Sequence, residues 1–478
     1  MTRLCVVGRD VPLWLAASVL HNALAPVGVT IQAVELPSLL RPEDVHATQP
    51  ALEALHRMMG IDESKLLQAV RGTFSLGQKF SGFNGAEPPF FHAYGGYGTT
   101  IDAKSFFPFW LKARAFGLNV AFEDFSLTAA AAKQGRMLLP DATTEAFGRT
   151  DYGYHLPAAA YAAYLRDRAL KAGVAVREAH TLQPVRDSAG IAALDLGGER
   201  VTADLFVDAT GSEARLIGAL EPNRHSWRPW FPCDRVLTSS ARRFTSIPIY
   251  AQVQARSNGW IAYYPSQAAT HLVHAYAGAR VSDDAALRNV ATATGMSLSD
   301  AVVTVSDPGR RARAWVGNCI AIGEAACVFD PIDGVDLLGV QTGLVHLLSL
   351  FPVGPAFAAE RTEYNRILNA VFDNIRDFQA VHYLTSAPPA TLVQRIDTFR
   401  ARGVVTAYDD DSFGEDAWRA VLLGHGIVPE SYDPRIDRTP PQTMKSDFRA
   451  MLGFIREQVT EQSTHDAYLE LFCGGEVV

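Results

Sequence analysis

The sequence predicts an α/β protein built on a Rossmann-like dinucleotide-binding unit, with an inserted antiparallel sheet and a helical C-terminal part. Three observations carry this. The chain opens with a strand–turn–helix–strand pattern of roughly the length of one βαβ unit. Buried-strand patterns return far downstream at 205–208 and 319–322. Beyond residue 357 the apolar periodicity becomes helical.

The elements follow in order. Leu4-Cys5-Val6-Val7 is a continuous apolar run, as expected of a parallel strand covered on both faces. It ends at Gly8, residues 12–23 read as a helix, and residues 29–34 form a second strand ending in the acid Glu35. Helices are expected over 49–59, 62–70 and 158–172, and strands over 174–179 and 205–208. Three strand-like segments between 246 and 277 suggest an antiparallel sheet walling a cavity. Residues 319–322 form another buried strand, followed by a loop and a helix around 345–350. In the tail, Ile367, Leu368, Val371, Phe372, Ile375 and Phe378 fall on one helical stripe. The expected division is an α/β domain over 1–356, carrying the inserted sheet, and a helical region over 357–478 packed on it. Asp409-Asp410-Asp411 is expected to be a solvated loop.

The 478 residues carry a formal charge of −8, with 48% hydrophobic and 20% charged residues. That balance is globular and disfavours nucleic acid or an anionic membrane as partner. The five cysteines are dispersed without a CxxC pair, so no metal site is expected and a reducing cytoplasm suits them. No signal peptide and no apolar run of spanning length are evident.

The opening βαβ unit, the segment Phe206-Val207-Asp208-Ala209-Thr210-Gly211 and the segment 319–326 together resemble FAD-binding oxidoreductases of the glutathione-reductase type. A narrower match begins at Gly72-Thr73-Phe74-Ser75-Leu76-Gly77-Gln78-Lys79-Phe80 and continues through Gly153-Tyr154-His155-Leu156, Gly323 to Pro331, and Asp377-Phe378 with His382-Tyr383. Trp418, Gly424, Gly426, Pro429, Tyr432 and Pro434 extend it to about residue 434. In these segments the chain resembles the flavin-dependent tryptophan halogenases.

That resemblance implies a reaction in which reduced FAD, delivered by a separate flavin reductase, activates oxygen to oxidise chloride or bromide. The resulting hypohalous acid reaches a lysine beside a small aromatic substrate such as tryptophan, indole or another electron-rich ring. Lys79 falls on that lysine, Asp333 on the catalytic carboxylate, and Val335 and Asp336 on the halide-holding pair. Gly8, Asp10, Leu13, Glu35, Asp208, Gly211, Gly323 and Pro331 fall on cofactor-contacting positions, and a homodimer is compatible with the family.

Several positions depart from the pattern. Of the glycines in the first GxGxxG turn only Gly8 remains, with Asp10 and Leu13 at the other two places. Asp10 followed by Val11-Pro12-Leu13, an N-cap acid with proline in the first turn, is a good helix start, so Asp10 is expected to cap the helix in place of the diphosphate and to repel it. Ala262 replaces the second tryptophan of the WxWxIP stretch, which otherwise keeps Trp260 and Pro265. Asp333 is one methylene shorter than the family's glutamate, and Asp336 puts a carboxylate where a halide would lie. His46 replaces an acid, and Val45 a glycine, in the loop joining flavin and active site. Two functions stay open: a halogenase or related monooxygenase, and a cofactor-impaired relative serving as a binding protein.

Overall fold

In the computed structural model, which describes residues 2–83, 88–352, 354 and 357–474, the chain clusters into two compact units. The first comprises 1–72, 156–236 and 303–376; the second comprises 73–155, 237–302 and 377–478. The chain therefore passes between units several times instead of parting at one point. The expected boundary residue 356 and the last residues 475–478 lie outside the described ones.

The first unit is built on a six-stranded sheet in the order Trp315–Val316, Cys319–Ala321, Leu205–Ala209, Arg3–Gly8, Thr30–Glu35, Ala175–Glu178. All neighbours run parallel except the first pair. The opening strand is buried from Leu4 to Gly8, as its uninterrupted apolar run requires. Gly8 is compulsory there: a Cβ would stand 2.2 Å from the carbonyl oxygen of Ala209 on the neighbouring strand. The helix Asp10–Leu24 follows, packing on the helices Ala158–Lys171 and Asp336–Ser349. Its Trp14 is buried, with the Arg166 guanidinium 5.7 Å from its ring centre.

The three strands expected between 246 and 277 are Ala251–Arg256, Gly259–Pro265 and Ala269–Tyr276, and they pair antiparallel. Gly77–Ser81, the strand bearing Lys79, extends this sheet parallel to Ala251–Arg256 and antiparallel to Phe90–Ala93. One face of this second-unit sheet is aromatic. Phe80 stacks on Phe90 and His382 at centroid distances of 5.0 and 4.5 Å, and Phe378 stacks on Phe413 at 3.8 Å.

The tail is helical, as expected, with Ala358–Ala380, Ala390–Arg402, Glu415–Gly424, Pro441–Glu461 and His465–Gly474. The acidic run at 409–411 needs correction. Its last member Asp411 forms an ion pair at 3.1 Å with Arg395, whose side chain is 1% exposed. Arg395 also lies 4.1 Å from the Trp418 ring centre. A cation buried that deeply requires a carboxylate, which the tail recruits from the loop. No helix of the described residues is long and apolar enough to cross a membrane.

Candidate functional site

At the carboxyl ends of the first unit's parallel strands lies a cavity of about 220 Å³. This is where open α/β sheets bind ligands. One wall is the first turn, with Arg9, Asp10 and Pro12; a second is the loop 209–213; a third is Ile322, Gly323 and Glu324. His46 and Asp336 line it as well, together with the apolar Leu39, Leu40, Leu337 and Val340.

The first turn departs from expectation. Asp10 is not the N-cap: that position is Arg9, and no side chain caps the helix there. Asp10 itself has φ +59°, the left-handed region in which the family's glycine would be at ease and which aspartate tolerates better than most residues. This backbone turns its carboxylate toward the 36–40 segment, where Oδ2 accepts a hydrogen bond from the Leu39 amide at 3.3 Å. The helix N-terminus thus keeps its positive end without an internal carboxylate cap, and Asp10 stands at the cavity edge as a charge. Leu13 is fully buried, so it packs in the core and does not line the cavity wall.

Asp208, expected to touch cofactor, organises the second wall. Its Oδ1 accepts from the Thr210 amide and hydroxyl at 3.0 and 2.7 Å, and its Oδ2 accepts from the amides of Leu216 and Ile217 at 2.9 and 2.8 Å. Burial raises this carboxyl's pKa, and the four hydrogen bonds offset only part of the rise. Gly211 has φ +78° and Gly323 φ +55°, both in the cavity wall. Arg9, 8% exposed, donates to Glu213 at 3.2 Å. Glu35 ends its strand as expected, but both of its carboxylate oxygens accept from Arg166 Nε, at 3.0 and 2.9 Å.

The third expected cluster, around Pro331, is more tightly built than its sequence suggests. Pro331–Asp333 is a 3-10 turn, in which Asp330 Oδ1 accepts from the Ile332 amide. Asp333 is fully buried, and its carbonyl accepts from Gln49 Nε2 at 2.8 Å. Val335 is buried and starts the helix Asp336–Ser349. Sequence reasoning places that helix only around 345–350; Gly339 and Gly343 interrupt its propensity, yet both are buried where larger side chains would crowd Phe329 and Ile322.

Asp336 and His46 meet. His46 Nδ1 lies 2.6 Å from Asp336 Oδ2, with side-chain exposures of 14% and 43%. Burial lowers the imidazole pKa, but the attraction and hydrogen bond of Asp336, with Asp44 and Glu324 nearby, outweigh it and raise the pKa on balance. His46 Nε2 is buried with no hydrogen-bond partner among the described residues. Two of the residues that depart from the family pattern thus pair with one another, across 290 positions of sequence.

Lys79 sits in the second unit, half-buried in its strand, paired with Phe91 on one side and Gln252 on the other. In the same sheet Trp260 is buried and donates Nε1–H to the Tyr383 hydroxyl at 2.8 Å, and Ala262 is buried between Val253 and Val273. Among the described residues no cluster of histidine, cysteine and acidic side chains could hold a metal ion.

A family model for tryptophan halogenase matches residues 3–441. Tryptophan 7-halogenase RebH of Lentzea aerocolonigenes is 25% identical over 509 residues, covering 93% of each chain. Among solved structures, the flavin-dependent halogenase BrvH from Brevundimonas sp. BAL3 superposes with a TM-score of 0.92 at 27% identity, covering 99% of each chain. A flavin-dependent halogenase from Xanthomonas campestris gives 0.92 at 28% identity, over 99% of this chain and 98% of the other. With the six-stranded sheet, the cavity at its strand ends and a match that spans both units, the chain belongs to the tryptophan halogenase family.

Proposed function

We propose that this protein halogenates a small electron-rich aromatic compound, using FAD that it holds weakly in the cavity of the first unit. The observation that carries this reading is the first turn. The helix Asp10–Leu24 presents an uncapped N-terminus beside the cavity, which suits a diphosphate. His46 adds a buried ring nitrogen with no partner among the described residues, a donor for an anion when the imidazole is protonated. Against these stand the carboxylates of Asp10, Glu213, Glu324 and Asp336 in the same lining. Two of them are compensated, Glu213 by Arg9 and Asp336 by His46. The helix N-terminus and the His46 ring nitrogen supply the attraction and the Asp10 and Glu324 carboxylates oppose it, so binding is expected to be weak.

When bound, reduced FAD supplies the electrons with which oxygen oxidises a halide, and a flavin reductase would renew it. The chain's own groups do the rest. Lys79 Nζ holds the electrophilic halogen species at the ring by donating a hydrogen bond to its oxygen. In the first unit, the buried Asp333 carboxylate is the base that the family resemblance assigns. Both groups are shielded from bulk water, Asp333 completely and Lys79 in part, which protects a reactive oxidant from side reactions.

The test is titration of the full chain with FAD followed by incubation with a flavin reductase, bromide and indole. A halide-dependent mass gain that disappears in Lys79→Ala supports the proposal. The second reading, a cofactor-impaired binding protein, draws on the Asp10 and Glu324 carboxylates in the lining. It prevails if FAD fails to bind at about 100 μM, a free energy of about 5.5 kcal/mol, and no halogenated product forms.

A further inference from the structure

The second unit contains a cavity of about 350 Å³ that none of the residues discussed so far lines. Its size is at the lower end for a small-molecule site, with room for one ring system and a short side chain. One wall is the helix Pro441–Glu461, which contributes Asp447, Ala450, Met451, Phe454 and Ile455. The opposite walls are the 96–100 loop, with Phe125 and Leu127 behind it, and the short helix Glu145–Gly148 leading to Arg149.

Its chemistry is amphipathic with a negative rim. Phe125, Leu127, Met451 and Ile455 are buried apolar side chains and form a floor suited to a ring. The charged rim groups are Glu145, Asp447 and Arg149. The guanidinium is already committed: it donates to the Gly98 carbonyl at 2.7 Å and pairs with the Asp416 carboxylate. Glu145 accepts a long bond from the Thr100 hydroxyl at 3.4 Å and lies 3.7 Å from Arg149. Asp447 makes no ion pair among the described residues. An arriving cation therefore meets a free carboxylate and a loosely held one, whereas an arriving anion meets a cation already neutralised.

We propose that this cavity is a second binding site, separate from the cofactor cavity, for a small aromatic molecule bearing a protonated amine. The ring lies on the Phe125–Met451–Ile455 floor and the ammonium pairs with Asp447, with Glu145 adding to the attraction. An aromatic carboxylate of the same size is rejected by those two acids.

The experiment uses the full chain and two probes, tryptamine and indole-3-propionate, titrated by calorimetry and by ligand-observed NMR. Tryptamine is expected to bind at least roughly tenfold more tightly than the carboxylate, a gap of about 1.4 kcal/mol. Asp447→Asn should weaken tryptamine about fivefold, and Ala450→Trp, which fills the cavity from an exposed helix position, should abolish that binding component. Both substitutions lie at the surface, and unchanged thermal unfolding would show that they fold. Equal affinity for the two probes overturns the proposal, as does tryptamine binding undiminished in Ala450→Trp, or no tryptamine binding at all.

Discussion

Replacing Asp10 with glycine isolates what its carboxylate does at the mouth of the cofactor cavity. Two like charges about 4 Å apart repel by roughly 1 kcal/mol in water and about 4 kcal/mol near a protein surface. Because Asp10 sits at an open edge, a value of about 1–2 kcal/mol is appropriate, which is a factor of roughly 5–30 in affinity. Stability should hardly change. Relief of the left-handed φ of +59° contributes about 1 kcal/mol. The greater chain freedom of glycine takes back a similar amount, and the 3.3 Å bond to Leu39 is a small loss. The expected outcome for Asp10→Gly is therefore FAD binding tightened about tenfold, with Tm moved by less than about 2 °C. Asp10→Asn separates charge from shape, since it keeps the side chain and tolerates the same φ; it should recover most of the gain. The gap between native chain and either variant should narrow at 1 M salt, where the screening length falls to about 3 Å. The assay is quenching of flavin fluorescence at two salt concentrations. If both variants bind FAD no better than the native chain, electrostatic opposition by Asp10 is refuted.

Three further outcomes follow from the same geometry. The His46–Asp336 pair makes stability depend on pH: the folded-state pKa of His46 is raised, so its contribution is complete below the unfolded value near 6.5 and is lost as pH rises through the folded value. Solvent at the half-exposed Asp336 limits this to about 1 kcal/mol; urea midpoints from pH 6 to 9 should fall in the native chain and lose that slope in His46→Asn. Gly8→Ala forces a Cβ into the Ala209 carbonyl and should cost about 3 kcal/mol or more in urea unfolding, since backbone on both sides must shift. Asp411→Asn strands the buried Arg395 charge and should cost about 3 kcal/mol; a Tm unchanged from the native chain would show that the rings beside the guanidinium, Trp418 at 4.1 Å and Tyr408 at 4.9 Å, suffice.

What the sequence disclosed was what local pattern encodes. The opening βαβ unit is legible because a run of Leu4 to Val7 between turn residues has few other solutions, and of the three strands after residue 246 the first, Ala251–Arg256, alternates between buried and part-exposed positions. The helix beginning at Asp336 was shortened in prospect because its glycines answer to packing against Phe329 and Ile322, which no window of sequence contains. Partners were the hardest to read. His46 and Asp336 each read singly as a departure from the family pattern, and Glu35, read as a cofactor-contacting acid, gives no local sign of Arg166, which reaches it from 131 residues away. Asp10 was misjudged for a different reason. Its neighbours favour a capping role, but the strand-to-helix turn imposes a left-handed residue, and a carboxylate on that backbone points elsewhere. The second-unit cavity had no signature, since its walls come from segments some 300 positions apart.

The four hydrogen bonds gathered by Asp208 anchor the 210–217 backbone to a single buried carboxylate. That stretch of the cavity wall is therefore shaped by the chain's own groups, and substitutions at the rim can change its charge while this anchor stays in place.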